Sequence, residues 1–355
     1  MEMNKTKQNK RLEYVDAMRG ITMILVVYSH ILMYYGYEHD FSQLYSYNSF
    51  IGLFRMPLFF FVSGFVLYKA SQLWDFRNSL TFIAKKFKVQ IISTIIFLFL
   101  YTMILDMSFI DSILIGGKEG YWFTITLFFF YILYILTKQI THFAKNETTE
   151  NIIMIILALC IRVICSSDIS KQIGIPDNIY NLFCVDKFNY YIYFIFGVIT
   201  KKYFHIFKQL INKDYLISII IVTFILTGIF FKKYILLIPN PIIALFMIIT
   251  GITGIVTVFS FFYKYQDSFT KETKVGRVLQ YIGKRTLDIY LLHYFFLPRN
   301  LQMVGEWFTE NINPTLEFFV SLTLAAMVIA LCLVVSNIIR ISPFLANWLF
   351  GVKSK

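Results

Sequence analysis

Apolar positions in this chain fall in long unbroken runs rather than at the alternate positions of a half-buried strand. Ten runs are long enough, or nearly so, to cross ~30 Å of hydrocarbon at ~1.5 Å per residue. They are 18–35, 49–68, 89–107, 121–137, 151–166, 188–203, 215–231, 242–263, 286–301 and 316–339. The fifth, sixth and ninth are the weakest. The pattern predicts an all-α, polytopic integral membrane bundle of about ten transmembrane helices. No Pro/Gly/Ser-rich linker and no internal repeat interrupts it, so residues 1–355 are read as one transmembrane domain with an arm at 1–17 and a tail at 340–355. The first run carries Arg19 and His30 and lacks a small-residue cleavage site, so it is not a signal peptide.

Composition changes what the length suggests. A chain of 355 residues would make two soluble domains of roughly 150 each. Hydrophobic residues make up 57% and charged residues 15%, against about 45–50% and 25% in soluble domains. Disorder, a disulfide scaffold and an ordinary cytosolic enzyme are excluded. The four cysteines form no Cys-x-x-Cys pair, so no metal site is indicated.

Charge then sets the topology. With ten runs, 25 of the 33 basic residues fall on the side of the two termini, six on the other side and two, Arg55 and Arg162, inside runs. Lys and Arg accumulate in cytoplasmic loops, so both termini are expected to be cytoplasmic. The net charge of +12 is therefore a topology signal, and nucleic acid is not expected as a partner; the lipid bilayer is.

Ionisable residues inside membrane runs are costly and are functional candidates by default. Arg19 and His30 are eleven residues apart, about three helical turns, so both project from one face ~16 Å apart along the axis. Asp16 lies one turn before Arg19, near the same face. A cation at the cytoplasmic mouth can hold an anionic ligand while an imidazole waits deeper. Snorkelling for Arg19 and an interhelical hydrogen bond for His30 are the plainer alternatives. The second run holds Arg55, Pro57 and Ser63-Gly64, the last pair suited either to a ligand or to close helix packing. Lys85 and Lys88 share a helical face and are suited to phosphate, or to topology alone. Asp288 and His293, five residues apart, do not share a face. Arg162 needs a buried partner. Tyrosines between Tyr34 and Tyr47 suit sugar stacking or an interfacial belt, and Glu38 and His39 lie among them.

Several segments resemble the acyltransferase 3 family of membrane proteins. Asp16-Ala17-Met18-Arg19-Gly20 followed by His30 resembles its Arg-x10-His motif. Leu58 to Phe65 resembles its Phe-Phe-x-x-Ser-Gly-Phe segment. Tyr121-Trp122-Phe123 resembles its Trp-Phe-Leu start of span four, although Thr124 stands where leucine is usual. Gly283 to His293 resembles its late Gly-x-x-Ser-x-x-Ile-Tyr-x-x-His element. The Arg55-Met56-Pro57-Leu58-Phe59-Phe60-Phe61 wording is similar to the fucose 4-O-acetylase-like branch.

The resemblance implies ten spans in the cytoplasmic (inner) membrane of a bacterium. It also implies O-acyl transfer, usually acetyl, from cytoplasmic acetyl-CoA to a sugar hydroxyl of a surface or exported glycan, which includes a lipid-linked one. Arg19, Lys85 and Lys88, with Ser63 and Gly64, are then the expected coenzyme A contacts, with no metal. His30 is expected as general base or acyl carrier, with Arg19 and Asp16 beside it. Arg55 is expected either to steady oxyanion charge or to pair with Asp288. A membrane transporter of a glycan or small solute is the alternative function.

Overall fold

A computed structural model describes residues 12–38, 45–141, 146–165, 172–234 and 240–352. His39 lies outside the described residues, as do most of the N-terminal arm and the last three residues of the tail. Among the described residues the chain is 83% helix with no strand. In chain order the helices are α1 (Glu13–Met33), α2 (Asn48–Leu67) and α3 (Phe76–Lys86). A π-helical turn (Phe87–Ile92) leads into α4 (Ser93–Ile104), then α5 (Phe109–Leu114), α6 (Trp122–Thr141), α7 (Glu147–Ile164) and α8 (Asp177–Leu182). The chain continues with α9 (Tyr191–Lys202), α10 (Phe204–Ile211), α11 (Asp214–Tyr234), α12 (Asn240–Lys264), α13 (Lys274–Lys284) and α14 (Thr286–Phe296). It ends with α15 (Gln302–Glu310), α16 (Pro314–Ile339) and α17 (Pro343–Phe350).

Among the described residues six helices are long and apolar enough to cross a membrane. They are Glu13–Met33, Asn48–Leu67, the continuous Phe76–Ile104, Trp122–Thr141, Ile242–Lys264 and Pro314–Ile339. The pair Phe204–Ile211 and Asp214–Phe230, bent by 85°, makes a seventh if it counts as one span. The three weakest runs of the sequence lie in helices of another kind. α7 has 18 residues but carries Glu147, Glu150 and Arg162. α9 and α14 have only 12 and 11 residues, ~17 Å of rise, and both are largely buried in protein. A helix may stop at membrane depth where neighbouring protein, not lipid, covers its ends.

α1 is the centre of the bundle, packed against α2, α13, α14 and α16. Its approach to α13 is backbone to backbone. A methyl placed on Gly20 would lie 2.1 Å from the Leu279 carbonyl oxygen, and one on Gly283 would lie 1.8 Å from that of Asp16. α14 is pinned to α16 by Asp288, which accepts from Ser336 and pairs with Arg340 at 2.7 Å. That is the carboxylate suggested as a partner for Arg55, and Arg340 takes it instead. Arg162 finds its partners in two backbone carbonyls, Asn189 at 3.0 Å and Ala244 at 3.1 Å. Lys118 is buried, and its Nζ donates to the carbonyls of Ile113 (2.6 Å) and Asn181 (3.1 Å), joining two connecting segments. Burial pushes its ammonium below the usual lysine range.

Candidate active site

A cavity of about 620 Å³ runs beside α1. At one end its wall carries Arg19, Lys69, Lys85 and Lys86; at the other it carries His30, Arg55 and Tyr294. The eleven-residue spacing of Arg19 and His30 thus becomes the long dimension of one cavity. Arg19 donates through Nη2 to Thr286 Oγ1 at 2.9 Å, and Asp16 lies 3.8 Å from its Nη1. Asp16 is itself buried at the α1–α13 contact, where it orients the guanidinium from behind.

The deep end holds two histidines. His293 Nε2 lies 3.0 Å from His30 Nδ1, and Tyr294 Oη lies 3.3 Å from His30 Nε2. On its other edge His293 Nδ1 lies 3.1 Å from the Ile289 carbonyl oxygen and 2.8 Å from that of Tyr290. Those oxygens only accept, so His293 Nδ1 carries hydrogen. In a neutral ring His293 Nε2 is then a bare lone pair. His30 Nδ1 must donate to it, which leaves the lone pair of His30 at Nε2, on the edge shared with Tyr294. The tautomer of the cavity-lining imidazole is thus fixed by two backbone carbonyls one residue away.

The wall opposite α14 is strapped on by tyrosines. Tyr290 Oη donates to the Gly120 carbonyl (2.9 Å) and accepts from the Phe123 amide (3.1 Å). Tyr121 Oη donates to the Leu291 carbonyl at 2.9 Å. Gly120 has φ +95°, and a methyl there would sit 1.9 Å from the Tyr294 hydroxyl, so only glycine fits. Arg55 faces the same end of the cavity, with Nε and Nη1 buried and no hydrogen-bond partner among the described residues. A half-buried guanidinium whose Nε and Nη1 are shielded and unpartnered is a place where negative charge is stabilised.

The remaining sequence candidates separate. Ser63 lines the cavity, with its hydroxyl donating to the Phe59 carbonyl at 2.9 Å. Gly64 faces α9 instead, where a methyl would meet the Phe194 carbonyl oxygen at 2.0 Å. Lys85 is in the cavity wall, but Lys88 is turned to α17, where it donates to Asn347 and lies 4.1 Å from the Trp348 ring centroid. A π-turn takes more than four residues, so the shared face of Lys85 and Lys88 expected of an α-helix is lost. Lys86 lines the cavity beside Lys85, 4.5 Å from the Tyr131 ring centroid. Tyr35 is buried, its hydroxyl 2.9 Å from Ser321 Oγ, and Glu38 is exposed. Sequence reasoning missed Tyr294 and the pairing of His293 with His30. The five-residue spacing of Asp288 and His293 was the available signal, since it sends one residue to α16 and the other to α1.

The acyltransferase 3 family model, described as an acyltransferase domain, matches residues 12–336, and the chain belongs to that family. It is a membrane acyltransferase by family and by its membrane-length helices. Comparison with the curated proteins and with the solved structures found no match.

Proposed function

We propose that this protein is a membrane O-acyltransferase that moves an acetyl group from acetyl-CoA to a sugar hydroxyl of a surface or exported glycan, a lipid-linked one included. It does so in the cytoplasmic membrane of a bacterium, as one ten-span domain with both termini in the cytoplasm. It sits on the fucose 4-O-acetylase-like branch of the family. The observation that carries this reading is the single cavity that joins a basic mouth to an imidazole lone pair.

Each residue has a defined task. Arg19 and Lys85, with Lys86 and Lys69, draw the phosphates of coenzyme A to the cytoplasmic end, where charge-assisted hydrogen bonds are strongest. Ser63 lines the path inward. His30 Nε2 accepts the proton of the acceptor hydroxyl as its oxygen bonds to the thioester carbon. The carbonyl oxygen, now negative, lies against the vacant donors of Arg55. Collapse of that intermediate breaks the carbon–sulfur bond, and the thiolate takes the proton back from His30. His293 Nε2 accepts from His30 Nδ1 throughout and so steadies the imidazolium between the two transfers. Gly64 acts through packing, and Lys88 through its hold on α17.

Purified protein in lipid nanodiscs, given labelled acetyl-CoA and a glycan acceptor, is expected to label the glycan. His30→Ala is expected to lower kcat by about 10²–10⁴, the usual value of a general base. Full activity in that variant excludes this mechanism, and solute flux in liposomes without an acyl donor favours a transporter.

A further inference from the structure

Gln90 is a buried polar side chain of this cavity that the reaction leaves unused. It lines the wall one turn inward from Lys85 and Lys86, on the way to His30. It is 6% exposed, and its Oε1 has no hydrogen-bond partner among the described residues. A buried amide left unsatisfied is destabilising, so its presence calls for a ligand that completes it.

The backbone around Gln90 is built to hold it there. Phe87–Ile92 is the one π-helical turn among the described residues, and such turns recur at functional sites. It sends Lys88 outward and Gln90 inward. The outward side is clamped by α17, through Lys88 on Asn347 and Trp348 and through Ser93 Oγ, which donates to the Trp348 carbonyl at 3.2 Å. Gly351, just past α17, has φ +65° and packs on Val89 so closely that a methyl would sit 2.4 Å away. Gly351 also lines the cavity. α17 and Gly351 lie beyond the residues that the family model matches.

We infer that Gln90 accepts a hydrogen bond from a secondary amide N–H in the pantetheine arm of the acyl-CoA donor. The inference rests on the acyl-CoA reading above. A donor that anchors its phosphates at Arg19 and presents its thioester at His30 must span ~16 Å between them. Met23 and Val26 line that stretch on the α1 side, which suits an uncharged portion of the donor. A neutral carboxamide selects a neutral partner, whereas phosphate would call for the lysines at the mouth. The pantetheine arm offers two amide N–H groups over this length.

The test measures kcat and KM for acetyl-CoA, and for two analogues in which one or the other arm amide N–H is replaced by ester oxygen. Gln90→Leu is expected to raise KM for acetyl-CoA about fivefold to tenfold, the value of one neutral hydrogen bond. Gln90→Asn, which keeps a neutral amide acceptor, is expected to recover part of it. One of the two analogues should raise the wild-type KM equally and add nothing further in Gln90→Leu. If both analogues behave like acetyl-CoA on the wild type, the inference fails, and this arm decides even where Gln90→Leu does not fold. Multiplying effects of analogue and substitution also overturn it. A wild type that turns over no acetyl-CoA overturns the parent reading as well, which separates the two failures.

Discussion

A neutral imidazole has one hydrogen to place, and His30 does not choose where. The carbonyls of Ile289 and Tyr290 put hydrogen on His293 Nδ1, and the 3.0 Å contact passes the constraint to His30. Removing His293 therefore costs chemistry more than binding. His293→Ala is expected to lower kcat about 10- to 100-fold by releasing the wrong tautomer, with KM for acetyl-CoA little changed. His293→Gln, which offers an acceptor to His30 Nδ1, should recover part of the loss. Equal loss in both variants, or a loss confined to KM, would remove the tautomer argument. Arg19→Ala should show the opposite split, raising KM about tenfold or more through a lost charge-assisted contact. The Arg19–His30 relation was legible because both residues lie on one helix and obey its period. The His30–His293 contact was not, since it joins residues 263 apart and depends on how α14 docks on α1.

Helices here are positioned by what they lack as much as by what they carry. Gly20 and Gly283 let α1 and α13 touch through backbone, which places Arg19 beside Thr286 at the cavity mouth. Gly20→Val has no space at 2.1 Å from a carbonyl, and overpacking of this kind costs about 1–3 kcal/mol. Thermal unfolding in detergent should show the loss. Lys118→Ala should also lower the unfolding temperature, because the Ile113 and Asn181 carbonyls lose a buried donor worth about 1–3 kcal/mol. An unchanged transition in either variant contradicts the packing described. Apolar runs coincide with every helix of membrane length among the described residues, because lipid and buried protein surroundings both select apolar side chains. Runs 188–203 and 286–301 became short helices because they face protein, and hydropathy does not distinguish the two surroundings. The π-turn at Phe87–Ile92 leaves no mark in the apolar pattern, so the face that α-helical spacing gives Lys85 and Lys88 in common is not shared in the structure.

At the scale of the molecule, the cavity only makes sense with a direction. Its mouth carries four basic side chains, and 25 of 33 basic residues in the chain share that side if ten segments cross. Helix length alone supports six or seven crossings, and a different parity would put Arg19 and the C-terminus on opposite faces. The helices α7, α9 and α14 decide the count, because ten crossings require each of them to span. Single cysteines in a background lacking the four native ones test the count directly. A membrane-impermeant maleimide is expected to label Asp177→Cys and Glu306→Cys in intact cells. Ser71→Cys and Glu272→Cys should react only after the membrane is opened. Asp177 precedes α9 and Glu306 follows α14, so failure of either to label in intact cells contradicts the ten-crossing order. With the predicted pattern, the basic mouth faces the compartment that holds acetyl-CoA, and His30 stands in the outer half, where a glycan hydroxyl can reach it.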